Sequence, residues 1–231
     1  MNLENKRVLV AHGDSFTQGV GYPKKQRIDI ENPWPKLLAK NLGMECVNLA
    51  TEGISNEFIA RDILLYLTDR DNNTDIFVII GWTAIEREEF YNDKKNEWFT
   101  ITNWGESYLK NYVTNLKTLE NDFRKSMMSK IAIQNFLKIN DISYLFFDTF
   151  PLPFQMLNEK MGGHSFHAPF SIKELENKLI DHKLYCDNIF WEEIKRQGLD
   201  YTFLPEDGHP NERGHEFWAN YLKEVISGNK T

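Results

Sequence analysis

Arg7-Val8-Leu9-Val10-Ala11-His12-Gly13-Asp14-Ser15-Phe16-Thr17-Gln18-Gly19 decides how the rest of the chain is read. Its first half, Val8 to Ala11, is a short continuous apolar run, the pattern of a buried strand. The run stops at Gly13-Asp14-Ser15. A serine held on a tight turn after a strand lies where open α/β sheets present their ligand-binding residues.

Working outward, strand and helix patterns alternate. Residues 20–33 are polar, with Gly21, Pro23 and the pair Lys24-Lys25, and read as a surface loop. Residues 34–42 carry apolar side chains at helical spacing, with Pro35 in the first turn and Gly43 as the stop. Cys46-Val47-Asn48-Leu49-Ala50 is a short second strand, followed by the polar turn Thr51-Glu52-Gly53-Ile54-Ser55-Asn56. Residues 58–67 return to helical spacing. Asp75-Ile76-Phe77-Val78-Ile79-Ile80 is apolar on both faces, as a central parallel strand must be, and it ends at Gly81-Trp82-Thr83. Residues 86–103 show no clear period and read as a helix-and-loop insertion. A long helix over 108–139 leads to the strand Ser143-Tyr144-Leu145-Phe146-Phe147. Loops rich in Pro, Gly, Met and His follow over 153–170. Helices are expected near 172–181 and 188–196, a last strand over 201–204 and a final helix over 212–226. The alternation predicts an α/β fold, a three-layer α/β/α sandwich with a central parallel sheet. No repeat or linker divides the chain, so residues 1–231 form one domain, with loop insertions near 86–107 and 151–170.

Composition narrows the function classes. A net charge of −7 provides no positive field for a phosphate backbone, which argues against a nucleic-acid partner. No apolar run approaches the ~20 residues of a membrane span. Residues 1–6 lack the apolar stretch of a signal peptide, so a cytoplasmic location is expected. The two cysteines, Cys46 and Cys186, are far apart and read as reduced thiols. His164 and His167 have no acidic or cysteine ligand nearby and read as loop residues rather than metal ligands. His12 and His215 read as structural residues.

In a parallel sheet all carboxyl ends lie on one edge, so the turns at Asp14-Ser15, Gly53, Gly81-Trp82-Thr83 and Glu206-Asp207-Gly208-His209 converge on one cleft. A serine hydroxyl needs an adjacent base, usually a histidine oriented by a carboxylate, and fixed donors for the developing oxyanion. Ser15 is the candidate nucleophile and His209 the base. The backbone N–H groups of Ser15 and Gly53 are candidate oxyanion donors.

Gly13-Asp14-Ser15-Phe16, Gly53, Gly81 and His209-Pro210-Asn211 resemble, in order and spacing, the four sequence blocks of the SGNH/GDSL hydrolases, a family of esterases and lipases. The resemblance implies a flavodoxin-like sandwich and a metal-free, cofactor-free serine esterase. It further implies a small acyl group, such as acetyl, leaving a carbohydrate or other polar ester. An acyltransferase using the same serine is the alternative, as is a binding or structural protein of the same fold. Two positions depart from the family pattern. Thr83 stands where the family's third block has an oxyanion-donating asparagine, so its hydroxyl becomes the third candidate donor. Glu206 stands where the last block has its aspartate, three residues before the histidine. Glu206 is the favoured partner of His209, with Asp207 as the alternative. Asp14, Asn56, Trp82 and Arg87 are the expected substrate-facing residues, with Trp82 as a wall and Arg87 facing a polar or anionic group.

Overall fold

A computed structural model describes residues 7–69, 75–101, 118–151, 179–186, 188–198, 202–204 and 207–229. The elements in chain order are β1 (Arg7–His12), α1 (Ser15–Gln18), β2 (Val20–Gly21), β3 (Ile28–Asp29), α2 (Trp34–Leu42), β4 (Glu45–Asn48) and α3 (Asn56–Thr68). They continue as β5 (Asp75–Trp82), β6 (Glu88–Asn92), β7 (Glu97–Ile101), α4 (Leu119–Ile139), β8 (Ser143–Asp148), β9 (Tyr185–Cys186), α5 (Phe190–Arg196) and α6 (Glu212–Ile226).

Five strands form a parallel sheet in the order β4-β1-β5-β8-β9. Because side chains alternate along each strand, the apolar runs divide between two cores. Leu9, Ala11, Ile79, Leu145 and Phe147 pack on one face with Trp34, Leu38, Phe190, Trp218 and Leu222 of α2, α5 and α6. Val8, Val10, Val78, Ile80, Trp82 and Phe146 pack on the other with Ile59, Ile63, Ile133 and Leu137 of α3 and α4. This is the expected sandwich. β1 sits between β4 and β5, so the chain reverses its direction of travel across the sheet there, and a crevice opens at the carboxyl ends of β1 and β5.

Local chemistry sets the helix ends. Gly43 closes α2 in the left-handed conformation (φ 67°), and Met44 N–H reaches back to the Ala39 carbonyl at 2.9 Å. Ser55 caps α3 by accepting the Phe58 N–H (3.1 Å). Asn211 caps α6 by accepting from Arg213 N (2.9 Å) and Gly214 N (3.1 Å).

Three expectations need correction. The fifth strand is Tyr185–Cys186, not residues 201–204. Two residues carry no readable period, and β9 is held instead by a side-chain network at the end of β8. Lys130 Nζ donates to Asp148 Oδ1 (2.7 Å) and to Tyr185 Oη (2.8 Å), while Tyr185 Oη donates to Asp148 Oδ2 (2.6 Å). Within 202–204, Phe203 instead bridges Pro210 antiparallel, closing a loop that carries His209. Over 88–101 the insertion after β5 is a hairpin, not helix and loop, and its expected continuation over 102–107 lies outside the described residues. β6 and β7 pair through Phe90–Phe99 and Tyr91–Trp98 across a polar turn, an aromatic alternation that the intervening charges conceal. Finally, residues 20–33 are not wholly surface loop, since Val20 and Ile30 are buried and β2 pairs with β3. The expected segments 108–117, 152–170 and 172–178 lie outside the described residues. No helix among the described residues is long and apolar enough to cross a membrane.

Candidate active site

Ser15 begins α1, the single helical turn directly after β1. The turn is held from both sides of its backbone. Gly13 has φ 155°, and a Cβ there would meet Thr17 Oγ1 at 2.3 Å and the Gly81 carbonyl at 2.8 Å, so only glycine lets β1 and β5 approach this closely. Gly13 N–H donates to His12 Nδ1 (2.8 Å), which leaves the ring proton on Nε2, 2.9 Å from Asp62 Oδ2. That contact holds the Asp62 carboxyl below its ordinary pKa. His12 is a structural brace behind the turn.

Asp14 caps α1. Its Oδ1 accepts the Phe16 N–H (3.0 Å). Its Oδ2 accepts the Thr83 hydroxyl (2.7 Å) and a guanidinium N–H of Arg87 (3.0 Å). The Asp14 carboxylate is fully buried, and Arg87 supplies its counter-charge. Arg87 in turn lies over the Phe150 ring, 5.7 Å from its centroid.

His209 reaches the same point from a loop almost 200 positions away along the chain. Its Nε2 lies 3.0 Å from Ser15 Oγ. The loop is fixed by Leu204 N–H to the His209 carbonyl (2.8 Å), Asn211 N–H to the Thr202 carbonyl (2.9 Å) and Asn211 Nδ2 to the Phe203 carbonyl (3.1 Å). The imidazole is flanked by Phe16 (centroids 5.2 Å apart) and Tyr22 (6.0 Å). Asp207 Oδ2 lies 3.0 Å from His209 Nδ1, an ion-pair distance with the approach bent off the N–H direction, so no linear hydrogen bond joins them. The same oxygen accepts the Tyr22 N–H (2.6 Å). Glu206 lies outside the described residues.

The turn carrying Gly53 is tied to the serine turn by three contacts. Thr51 N–H donates to the Gly13 carbonyl (3.1 Å), Glu52 N–H to Gln18 Oε1 (2.8 Å), and Asn48 Nδ2 to the Thr17 carbonyl (3.0 Å). Neither Ser15 N–H nor Gly53 N–H donates to a protein acceptor among the described residues.

The remaining expected residues are placed differently from one another. Thr83 is beside Asp14, with its one hydroxyl proton directed at that carboxylate. Asn56 is buried and spends its amide on structure: Thr83 N–H donates to Oδ1 (2.9 Å), while Nδ2 donates to the Thr83 carbonyl (3.1 Å) and to Ser126 Oγ (2.9 Å). Trp82 is no cleft wall. It is fully buried and packs edge-on to Phe146, because alternation along β5 turns it into the same core as Val78 and Ile80. Of the four expected substrate-facing residues, only Arg87 retains measurable side-chain exposure, 18%. His215 is also structural: Trp34 N–H donates to its Nδ1 (3.2 Å), and burial drives its pKa down to about 3. Among the described residues no group of three or more His, Cys, Asp or Glu could hold a metal ion. His164 and His167 lie outside them.

Sequence reasoning missed the structural use of Asn56 and Asp14, and the role of Tyr22 as a backbone donor to Asp207. A buried amide gripping a peptide unit has no local sequence signal.

The arrangement offers the chemistry of acyl transfer: a hydroxyl against an imidazole, with a carboxylate behind the imidazole. The fold is that of the SGNH/GDSL esterases. The psychrotrophic esterase EstA from Pseudoalteromonas sp. superposes with a TM-score of 0.53 at 12% identity, over 96% of this chain and 97% of that one. A member of the lipolytic protein G-D-S-L family from Veillonella parvula gives 0.50 at 15% identity, over 96% and 98%. The acetyl xylan esterase Est2A from the rumen bacterium Butyrivibrio proteoclasticus gives 0.57 at 11% identity, over 99% of this chain and 65% of that one. No curated protein sequence matches the chain. Residues 22–229 match a family described as a family of unknown function (DUF6071), and the chain belongs to that family.

Proposed function

We propose that this protein is a serine ester hydrolase that removes a small acyl group, acetyl being the simplest, from a carbohydrate or other polar ester. The observation that carries the reading is the 3.0 Å contact of Ser15 Oγ with His209 Nε2, with Asp207 3.0 Å from the opposite ring nitrogen. In the acylation step His209 Nε2 takes the Ser15 proton as Oγ bonds to the acyl carbon. The same proton passes to the departing alkoxide, and the ester C–O bond breaks. Water then repeats the sequence on the acyl-serine and releases the carboxylic acid. Asp207 is the orienting acid, and the Ser15 and Gly53 N–H groups bind the oxyanion.

Thr83 acts in this reading through Asp14, by fixing the turn that carries Ser15. The names of the similar folds, which include an acetyl xylan esterase, support the choice of acyl group and polar alcohol. The test is hydrolysis of 4-nitrophenyl acetate together with labelling by a fluorophosphonate probe. Ser15→Ala is expected to abolish both and leave the melting temperature within a few degrees. Activity retained by purified Ser15→Ala protein would refute the mechanism.

A further inference from the structure

We propose that the cleft beside Asp207 is a subsite for a negatively charged group carried by the ester, seated by Lys24 and Lys25. This rests on the esterase reading. The cleft has a volume of about 480 Å³ and is lined by Tyr22, Lys24, Lys25 and Asp207, within the size range of small-molecule sites. It borders the site directly, because Asp207 lies 3.0 Å from His209, and the Tyr22 ring is 6.0 Å from the imidazole. The segment is pressed against that machinery. A Cβ on Gly21 would meet Leu204 Cδ1 at 2.2 Å, Asp207 Oδ2 at 2.8 Å and His209 Cβ at 3.3 Å.

Three further observations give the subsite its chemistry. Lys24 (φ 53°) and Lys25 (φ 64°) are both left-handed, a conformation that glycine or asparagine adopts more cheaply than lysine. Hydrogen bonds from Lys25 N–H to the Tyr22 carbonyl (2.9 Å) and from Gln26 N–H to the Pro23 carbonyl (3.1 Å) hold them there. Strain retained beside a reactive site points to a use for the side chains displayed. Neither ammonium has an ion-pair partner among the described residues, whereas neighbouring Arg27 is engaged by Asp29 (2.9 Å) and Glu52 (3.4 Å). Asp207 Oδ2 is already occupied by the Tyr22 N–H and faces His209. On a chain of net charge −7, two uncompensated cations beside the cleft are a local reversal of sign. They complement a carboxylate, sulfate or phosphate, and ammonium groups on flexible stems accept any of these as point charges.

The test uses two matched ester pairs: phenyl acetate with 4-acetoxybenzoate, and 4-nitrophenyl butyrate with mono(4-nitrophenyl) succinate. The quantity read is the ratio of kcat/KM for the charged over the uncharged member. In at least one pair the Lys24→Gln/Lys25→Gln protein is expected to lose about tenfold of the parent's ratio, the scale of two exposed charge contacts. Which pair responds tells whether the anion sits on the alcohol or the acyl side. The Lys24→Gly/Lys25→Gly protein should lose the same preference while its melting temperature rises, because the strain is relieved. Ratios equal to the parent's in both pairs would overturn the proposal. If the parent turns over none of the four esters, the esterase reading fails separately. The subsite is then read by saturation-transfer NMR of 4-acetoxybenzoate on the Ser15→Ala protein. Loss of signal on adding the two glutamine substitutions supports it, and equal signal overturns it.

Discussion

Replacing Asp207 by asparagine separates the two carboxylates that precede His209. Asp207 Oδ2 stands 3.0 Å from His209 Nδ1, and its side chain is only 8% exposed, so solvent screens the pair weakly. In the proposed mechanism His209 becomes an imidazolium as Ser15 attacks, and a full negative charge at this distance is worth about 5 kcal/mol at an effective dielectric of about 20. The bent approach takes the realised gain below that, to about 3–4 kcal/mol. At about 1.4 kcal/mol per tenfold this is a rate loss of roughly 10²–10³. Asparagine keeps an oxygen for the Tyr22 N–H (2.6 Å in the parent), losing only the charge assistance, about 1 kcal/mol. For a chain of this length that is roughly 2–4 °C in melting temperature. The assay is kcat and KM for 4-nitrophenyl acetate at pH 7.5, with melting temperatures, for Asp207→Asn and Glu206→Gln side by side. A kcat deficit confined to Asp207→Asn, with KM little changed, is expected. Parent-like kcat in Asp207→Asn together with an inactive Glu206→Gln would refute the assignment.

Thr83→Val removes one of the three donors to the buried Asp14 carboxylate and should lower stability by about 1–3 kcal/mol. Its kcat should fall through a displaced Ser15 turn, and a variant with parent stability but a hundredfold lower kcat would instead make the hydroxyl a direct oxyanion donor. Lys130→Met strips the ammonium from Asp148 and Tyr185, and should cost about 3–5 kcal/mol in denaturant unfolding; a loss below 1 kcal/mol would contradict that network. His215 is held neutral by burial, with its folded pKa near 3 against 6.5 in the open chain. The unfolded state therefore binds the extra proton, and stability, full above pH ~6.5, falls as the pH drops toward 3 by up to about 1.4 kcal/mol per unit. His215→Gln, which keeps an acceptor for the Trp34 N–H, should flatten that slope between pH 6.5 and 4.5, and an unchanged slope would assign it to other groups.

What the sequence disclosed follows from what each element needs locally. β1 and β5 are apolar on both faces because both faces are buried, and that pattern is visible without the fold. α2 and α6 carry their own boundaries, Gly43 behind one and Asn211 ahead of the other. β9 had no such signal, since two residues secured by Lys130 and Asp148 need no period of their own. The approach of Asp207 to His209 was equally hidden. Gly208 has φ 78°, and this left-handed step turns the chain so that the carboxylate two residues before His209 returns to its Nδ1. The contact of Thr83 with Asp14 was hidden because the two are 69 positions apart, and a hydroxyl's direction is set by whichever acceptor the fold brings up.

The polar residues at the strand ends form one linked structure. Thr51 and Asn48 bind the β4 end to the serine turn, Asn56 grips both backbone groups of Thr83, and Thr83 and Arg87 meet on Asp14. Asp14 in turn caps the helix that begins at Ser15. A buried carboxylate and a buried amide are costly unless every partner is present, so the network is satisfied as a whole or disturbed as a whole. The effects of substitutions at Asp14, Asn56 and Thr83 are therefore coupled rather than additive. Precision at Ser15 Oγ is thus produced at the topological switch between β1 and β5, where only polar side chains can join three loops and still leave the Ser15 and Gly53 N–H groups unspent. Glycine at 13 and 53, an acid at 14 and an amide at 56 form a single arrangement, distributed over separate segments because the parallel sheet brings those segments to one edge.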